Sequence, residues 1–118
     1  MQTNTKLTLS LITSVIALSA GLAVASGTFG AIAVSPQTGK YAIVVNRGSR
    51  ITAGKEALKQ CKASNCVVSV SFRSACGAVA QKGKTMFTGI GSTKEEAMTN
   101  AVQAGGKGTK AIAANCTK

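Results

Sequence analysis

A five-residue stretch occurs twice in this chain. Phe29-Gly30-Ala31-Ile32-Ala33 returns as Cys76-Gly77-Ala78-Val79-Ala80. Each copy is followed by a turn, an apolar run, a helix-like segment and a closing strand, so the second half reads as a diverged copy of the first. Whatever unit one half builds, the other half is expected to build too.

In the first copy, Gly30 to Ser35 alternates small and apolar residues and predicts a strand. Pro36-Gln37-Thr38-Gly39 predicts a turn, because Pro fixes φ and Gly accepts a positive one. Tyr41 to Val45 is rich in β-branched residues and predicts the returning strand. Ile51 to Lys62 has a helical period: Ala53, Ala57, Leu58 and Cys61 share one face, and Lys55, Lys59 and Lys62 share the other. Cys66 to Phe72 alternates, with Val68, Val70 and Phe72 on one face and Ser69 and Ser71 on the other, as in a half-buried strand. The unit is ββαβ.

The second copy repeats the order. Cys76 to Gln81 and Thr85 to Ile90 predict a hairpin around Lys82-Gly83-Lys84. Ser92-Thr93-Lys94-Glu95 predicts a capping box, with Ser92 receiving the backbone N–H of Glu95 and Glu95 reaching back. Ala97, Ala101, Val102 and Ala104 continue the helix, Gly105-Gly106-Lys107-Gly108 ends it, and Lys110 to Cys116 closes the unit. The fold class is α+β: two tandem ββαβ repeats, 29–72 and 76–116, forming antiparallel sheet with two helices packed on it.

The first residues read as an export signal. Met1 to Lys6 is a short polar segment with one positive charge, Leu7 to Val24 is apolar, and Ala23-Val24-Ala25 is an A-x-A site before Ser26. Residues 1–25 are expected to be cleaved, leaving 26–118 as a single domain in the periplasm or outside the cell. Four cysteines in an exported chain are expected to be oxidised, and four allow three pairings. Aligning the repeats sets Phe29 against Cys76 and Phe72 against Cys116. If the two phenylalanines meet in the first repeat, Cys76 and Cys116 meet in the second, and Cys61 is left to pair with Cys66.

Composition narrows the chemistry. Lys+Arg is 14 against Asp+Glu 3, a formal charge of +11, with no His. Lacking His, the chain has no usual general base, triad or commonest metal ligand. The only acids are Glu56, Glu95 and Glu96; the last two suit a helix N-terminus, and no carboxylate pair is left for glycoside hydrolysis. The C-x4-C spacing is not that of thiol oxidoreductases or zinc sites. Gly105-Gly106-Lys107-Gly108-Thr109-Lys110 follows a helix instead of opening one, so it is a terminator and not a phosphate loop. Catalytic residues, metal and cofactor are therefore expected to be none. A Ser–Lys hydrolase would need a pair that no motif singles out.

Several features together resemble the bacterial secreted family known as domain of unknown function 4189, DUF4189. They are Gly30-Ala31-Ile32-Ala33 before a Pro/Gly turn; Ala53, Ala57 and Leu58 followed by Cys61 and Cys66; Val67-Val68 leading to Phe72, Cys76 and Gly77-Ala78-Val79-Ala80; and the Ala97/Ala101 helix with Cys116. The resemblance covers nearly all of 29–116. It implies a fold and an exported bacterial protein, with host interaction among mycobacterial members, and no accepted enzymatic activity. Two features depart from the family pattern: the hairpins lack Trp, and Gly105 stands where many members place another Cys.

Charge is the remaining functional signal. Lys40, Arg47 and Arg50 cluster around the first hairpin and loop, and Lys55, Lys59 and Lys62 form the helix stripe. These six are the candidate anion- or partner-binding residues. The expected function is a small exported, basic, non-enzymatic binding protein that docks an acidic protein, such as a toxin or host factor, or an anionic envelope component. The alternative is a membrane-active or anionic-lipid-binding envelope protein. Nucleic acid fits poorly, since the chain is exported and has only one Tyr and three Phe for stacking.

Overall fold

The computed structural model describes residues 27–118; the expected leader at 1–25 lies outside them. The elements are β1 (Phe29–Val34), β2 (Tyr41–Arg47), α1 (Arg50–Cys61), β3 (Val67–Arg73), β4 (Cys76–Lys82), β5 (Thr85–Gly91), α2 (Lys94–Gly105) and β6 (Lys110–Cys116). The order is ββαβ twice. Each repeat closes its own three-stranded antiparallel sheet, β2-β1-β3 in the first and β5-β4-β6 in the second. The duplicated motif is the central strand of each.

That position explains the motif's composition. A central strand here is buried on both faces, so it cannot alternate polar and apolar. Ala31 and Ala33 pack with Ala42, Val44, Ala53, Ala57 and Cys61 beneath α1. Ala78 and Ala80 pack with Cys76, Ala97 and Ala101 beneath α2. Alanine on both surfaces lets each helix lie close to its sheet. The intervening residues, Ile32, Val34 and Val79, join Phe72 in a third cluster, flanked by Tyr41, Ile43, Val70, Met86 and Ile90. That cluster draws on both sheets, so they stack face to face. The layers run α1, first sheet, second sheet, α2.

Phe72 sits at the centre of this stack. Its ring lies against both motif glycines: a Cβ built on Gly30 or on Gly77 would approach Phe72 ring carbons to 2.5 Å. One aromatic side chain thus requires glycine at the same place in both repeats. The symmetry is broken there, because the ladders make Asn115 the counterpart of Phe72, and Asn115 is exposed.

The ladders correct the sequence alignment by one residue. Phe29 is paired with Arg73, not with Phe72, which lies opposite Gly30. Cys76 is paired with Cys116, so Arg73 is the counterpart of Cys116. The slip arises because the helix-to-strand connection spans 62–66 in the first repeat and 106–109 in the second. The disulfides are Cys61–Cys66 and Cys76–Cys116.

Two further expectations are corrected. The register of β3 against β1 shifts between Ile32 and Ala33, leaving Ser69 as the extra residue of a bulge. Val68 therefore lies opposite Ala33, on the α1 face, while Val70 lies opposite Ile32 and faces the other sheet. The expected shared face of Val68, Val70 and Phe72 is split by that bulge. The cap of α2 also moves by one residue. Thr93, not Ser92, is the N-cap, accepting from the Glu96 N–H at 3.0 Å. Glu96, not Glu95, reaches back, accepting from the Ser92 N–H at 2.5 Å and the Ser92 hydroxyl at 2.8 Å.

Candidate functional site

α1 is fixed at both ends. Ser49 is its N-cap and accepts from the Thr52 N–H at 3.0 Å. Lys62 is its C-cap, in the left-handed conformation at φ 56, ψ 35. The Cys61–Cys66 bond then ties the helix end to the start of β3. Beside it the fully buried Ser35 donates to Asn65 Oδ1 at 2.7 Å, which anchors the same connection to the end of β1.

Ala53, Ala57 and Cys61 are the buried residues of α1. The outer surface carries Ile51, Lys55, Leu58 and Lys62, spaced so that they form one stripe along the helix, with Lys59 beside it. All five are exposed. Leu58 was expected to share the buried face with Ala53 and Ala57. It is 40% exposed, and Ile51 is 70% exposed. The alanine-floored contact with the sheet is too narrow to reach them. Gly54 lies between the two aliphatic side chains on the helix surface, and a Cβ there would sit 3.6 Å from Val68 Cγ2 of β3. The apolar surface thus continues from the helix onto the edge strand.

The structure does not treat the six candidate cations alike. Arg50, Lys55, Lys59 and Lys62 are exposed on or at the ends of α1. Lys40 is exposed in the β1–β2 turn, and its carbonyl oxygen lies 3.7 Å from Cys61 Sγ, so it borders the C-terminal end of the helix. Arg47 is engaged. Its Nη1 donates to the Val45 carbonyl at 2.7 Å, and its Nη2 stands 3.9 Å from Glu56 Oε1. Glu56 also accepts from Gln60 at 3.5 Å, so the one acid of α1 is held on the β2 side.

The second repeat offers a comparison on the same scaffold. With Ala53 matched to Ala97 and Ala57 to Ala101, the residues matching Arg50, Ile51, Lys55, Leu58, Lys59 and Lys62 are Lys94, Glu95, Thr99, Val102, Gln103 and Gly106. Four of these six positions differ in charge or polarity between the repeats, Lys94 and Val102 being the exceptions, and the row of lysines with an aliphatic residue at its start belongs to α1 alone. α2 also sits differently. Its backbone rests on β5 at Gly89, where a Cβ would approach Ala101 N to 2.3 Å and Ala97 O to 2.5 Å. Leaning on β5 opens a groove of about 570 Å³ on the opposite side, lined by Glu95, Met98, Thr99, Val102, Gln103 and Ala111.

Among the described residues no three His, Cys, Asp or Glu come together as a metal site, and no helix is long and apolar enough to cross a membrane. Both disulfides suit an oxidising compartment. The family model for a domain of unknown function, DUF4189, matches residues 29–117. The chain belongs to the DUF4189 family. The DUF4189 fold is shared with the NMR structure of Rv1813c from Mycobacterium tuberculosis, which is 30% identical over 75% of this chain and 74% of that one, with a TM-score of 0.61. No curated protein matches this DUF4189 chain.

The sequence pattern marks the lysines of the α1 stripe, but it left Ile51 out of the candidate set and put Leu58 in the core. The signal was available. Ile51 lies four residues before Lys55, and Leu58 three residues after it, which places both beside the basic face.

Proposed function

We propose that this protein is an exported, non-enzymatic binding module that engages an anionic partner through the outer face of α1. The observation that supports this most is the divergence of the two repeats. One architecture is built twice, yet Lys55, Lys59 and Lys62 stand on α1 where α2 carries Thr99, Gln103 and Gly106. Solvation alone would require no such difference. The only acid of α1, Glu56, stands on the β2 side, 3.9 Å from Arg47, so the stripe itself carries cations and no carboxylate. Export, with cleavage before Ser26 and release to the periplasm or the medium, belongs to the same proposal; the N-terminal sequence of the secreted form tests it.

The binding test uses poly-L-glutamate as probe, titrated against oxidised 26–118 over a salt series. Affinity is expected to fall as salt rises. A Lys55→Glu/Lys59→Glu/Lys62→Glu variant is expected to lose binding, and a Lys84→Glu/Lys107→Glu/Lys110→Glu variant to retain it. Equal losses in the two variants would mean that no particular face is used.

A further inference from the structure

The α1 stripe has a composition that separates one kind of anionic surface from another. Ile51 and Leu58 alternate with Lys55 and Lys62 along it, and Ile51 is 70% and Leu58 40% exposed. Val68, at 38%, extends the apolar surface onto the edge strand β3 beside Gly54. This is a convex helical ridge and not a pocket. We infer that the α1 ridge docks on an anionic phospholipid bilayer, its lysines among the headgroups and Ile51 and Leu58 inserted shallowly below them. The inference rests on the anionic-partner reading above and names that partner.

Three observations favour lipid over an acidic protein. Protein interfaces are poor in lysine and rich in aromatic residues and arginine. The ridge has three lysines and no aromatic residue, and Arg47, beside it, is already occupied by Glu56 and the Val45 carbonyl. Lysine is a flexible point charge without the fork that fits a fixed carboxylate, which suits a mobile layer of headgroups. Aliphatic side chains among cations are the pattern of shallow interfacial binding, in which buried apolar area and attraction to anionic lipid add. The equivalent of Ile51 in α2 is Glu95, so nothing in the scaffold requires an apolar residue at that place.

The test uses vesicles of phosphatidylcholine alone and of phosphatidylcholine mixed with phosphatidylglycerol, with oxidised 26–118. The protein is expected to cosediment only with the mixed vesicles and to be released by salt. Because the chain contains no Trp, an Ile51→Trp variant is a clean reporter, and its emission is expected to shift to the blue on binding. An Ile51→Ser/Leu58→Ser variant is expected to partition on the order of tenfold less while binding poly-L-glutamate as well as the parent does. Failure to bind mixed vesicles, with poly-L-glutamate binding intact, would overturn the lipid assignment and leave the anionic-partner reading standing, with an acidic protein as the partner to seek. Vesicle binding without a blue shift, or unaffected by the serine pair, would also overturn it. Loss of both vesicle and poly-L-glutamate binding in the unsubstituted protein would remove the two readings together.

Discussion

The Arg73 guanidinium carbon lies 5.1 Å from the centroid of the Phe29 ring, on the ladder rung where the second repeat has Cys76 bonded to Cys116. The same position is closed once by a cation–π contact and once by a covalent bond. The two devices differ in strength. Arg73→Ala is expected to lower stability by about 0.5–1 kcal/mol, as for an exposed cation–π pair. The Cys76→Ala/Cys116→Ala variant is expected to lose about 2–5 kcal/mol. Urea melts under oxidising conditions measure both; equal losses would mean that the rungs are held by something other than these pairs.

The contact of one ring with two glycines makes a coupled prediction. Gly77→Ala places a methyl group against Phe72 and is expected to cost about 1–3 kcal/mol. Phe72→Leu removes ring atoms from the inter-sheet cluster and is also destabilising. Combining them is expected to cost less than the two separately, because the smaller side chain vacates the space the methyl group needs. Strict additivity in thermal melts would show that Phe72 does not fill the site of Gly77.

Lys62 carries two opposed roles. It takes the left-handed conformation at the end of α1, which disfavours any residue with a Cβ. Lys62→Gly is expected to raise stability by about 1 kcal/mol and to weaken poly-L-glutamate binding by removing a cation. A variant that binds unchanged would place Lys62 outside the contact.

Acid is expected to loosen the start of α2. The Ser92 backbone N–H, and then its hydroxyl, hold the Glu96 carboxyl below its usual value of 4.5. A carboxylate whose pKa falls on folding adds stability above its unfolded pKa and loses it as pH drops through the folded one. Protection of the amides across 93–97, taken relative to their intrinsic exchange rate at each pH, is therefore expected to fall below about pH 4.5, and Glu96→Gln to remove that dependence. The same acid limb in the variant would assign it to another group.

Period and turn chemistry made most of the fold legible. The ββαβ unit, its duplication and the bounds of the elements follow from where Ala, Val, Gly and Pro stand. The partition into two sheets does not, because alternation shows that a face is buried without showing what covers it. Ile32 and Val79 would read the same against a helix or against each other. Register was legible only to one residue: the Ser69 bulge and the shorter 106–109 connection each shift a strand without disturbing its pattern. The α2 cap shifted for a similar reason, since Ser92 and Thr93 are adjacent and either hydroxyl can cap. At the candidate site the charges were visible in the sequence. The exposure of Leu58 was not, because it depends on how narrow an alanine-floored helix contact becomes once packed. Gly105 is legible only afterwards: a Cβ there would approach Thr109 Oγ1 to 2.3 Å and a Phe87 ring carbon to 2.7 Å, which leaves no room for a side chain.

The joint between the repeats is only Ser74 and Ala75. Each sheet has one face under its own helix and the other under its sibling, and each disulfide lies within one repeat. The interior between the sheets is therefore a dimer interface that happens to be written on one chain. Tethering makes its assembly unimolecular and independent of concentration. A single cut between residues 74 and 75 would return it to mass action, with two stapled halves joined by nothing covalent and free to part on dilution.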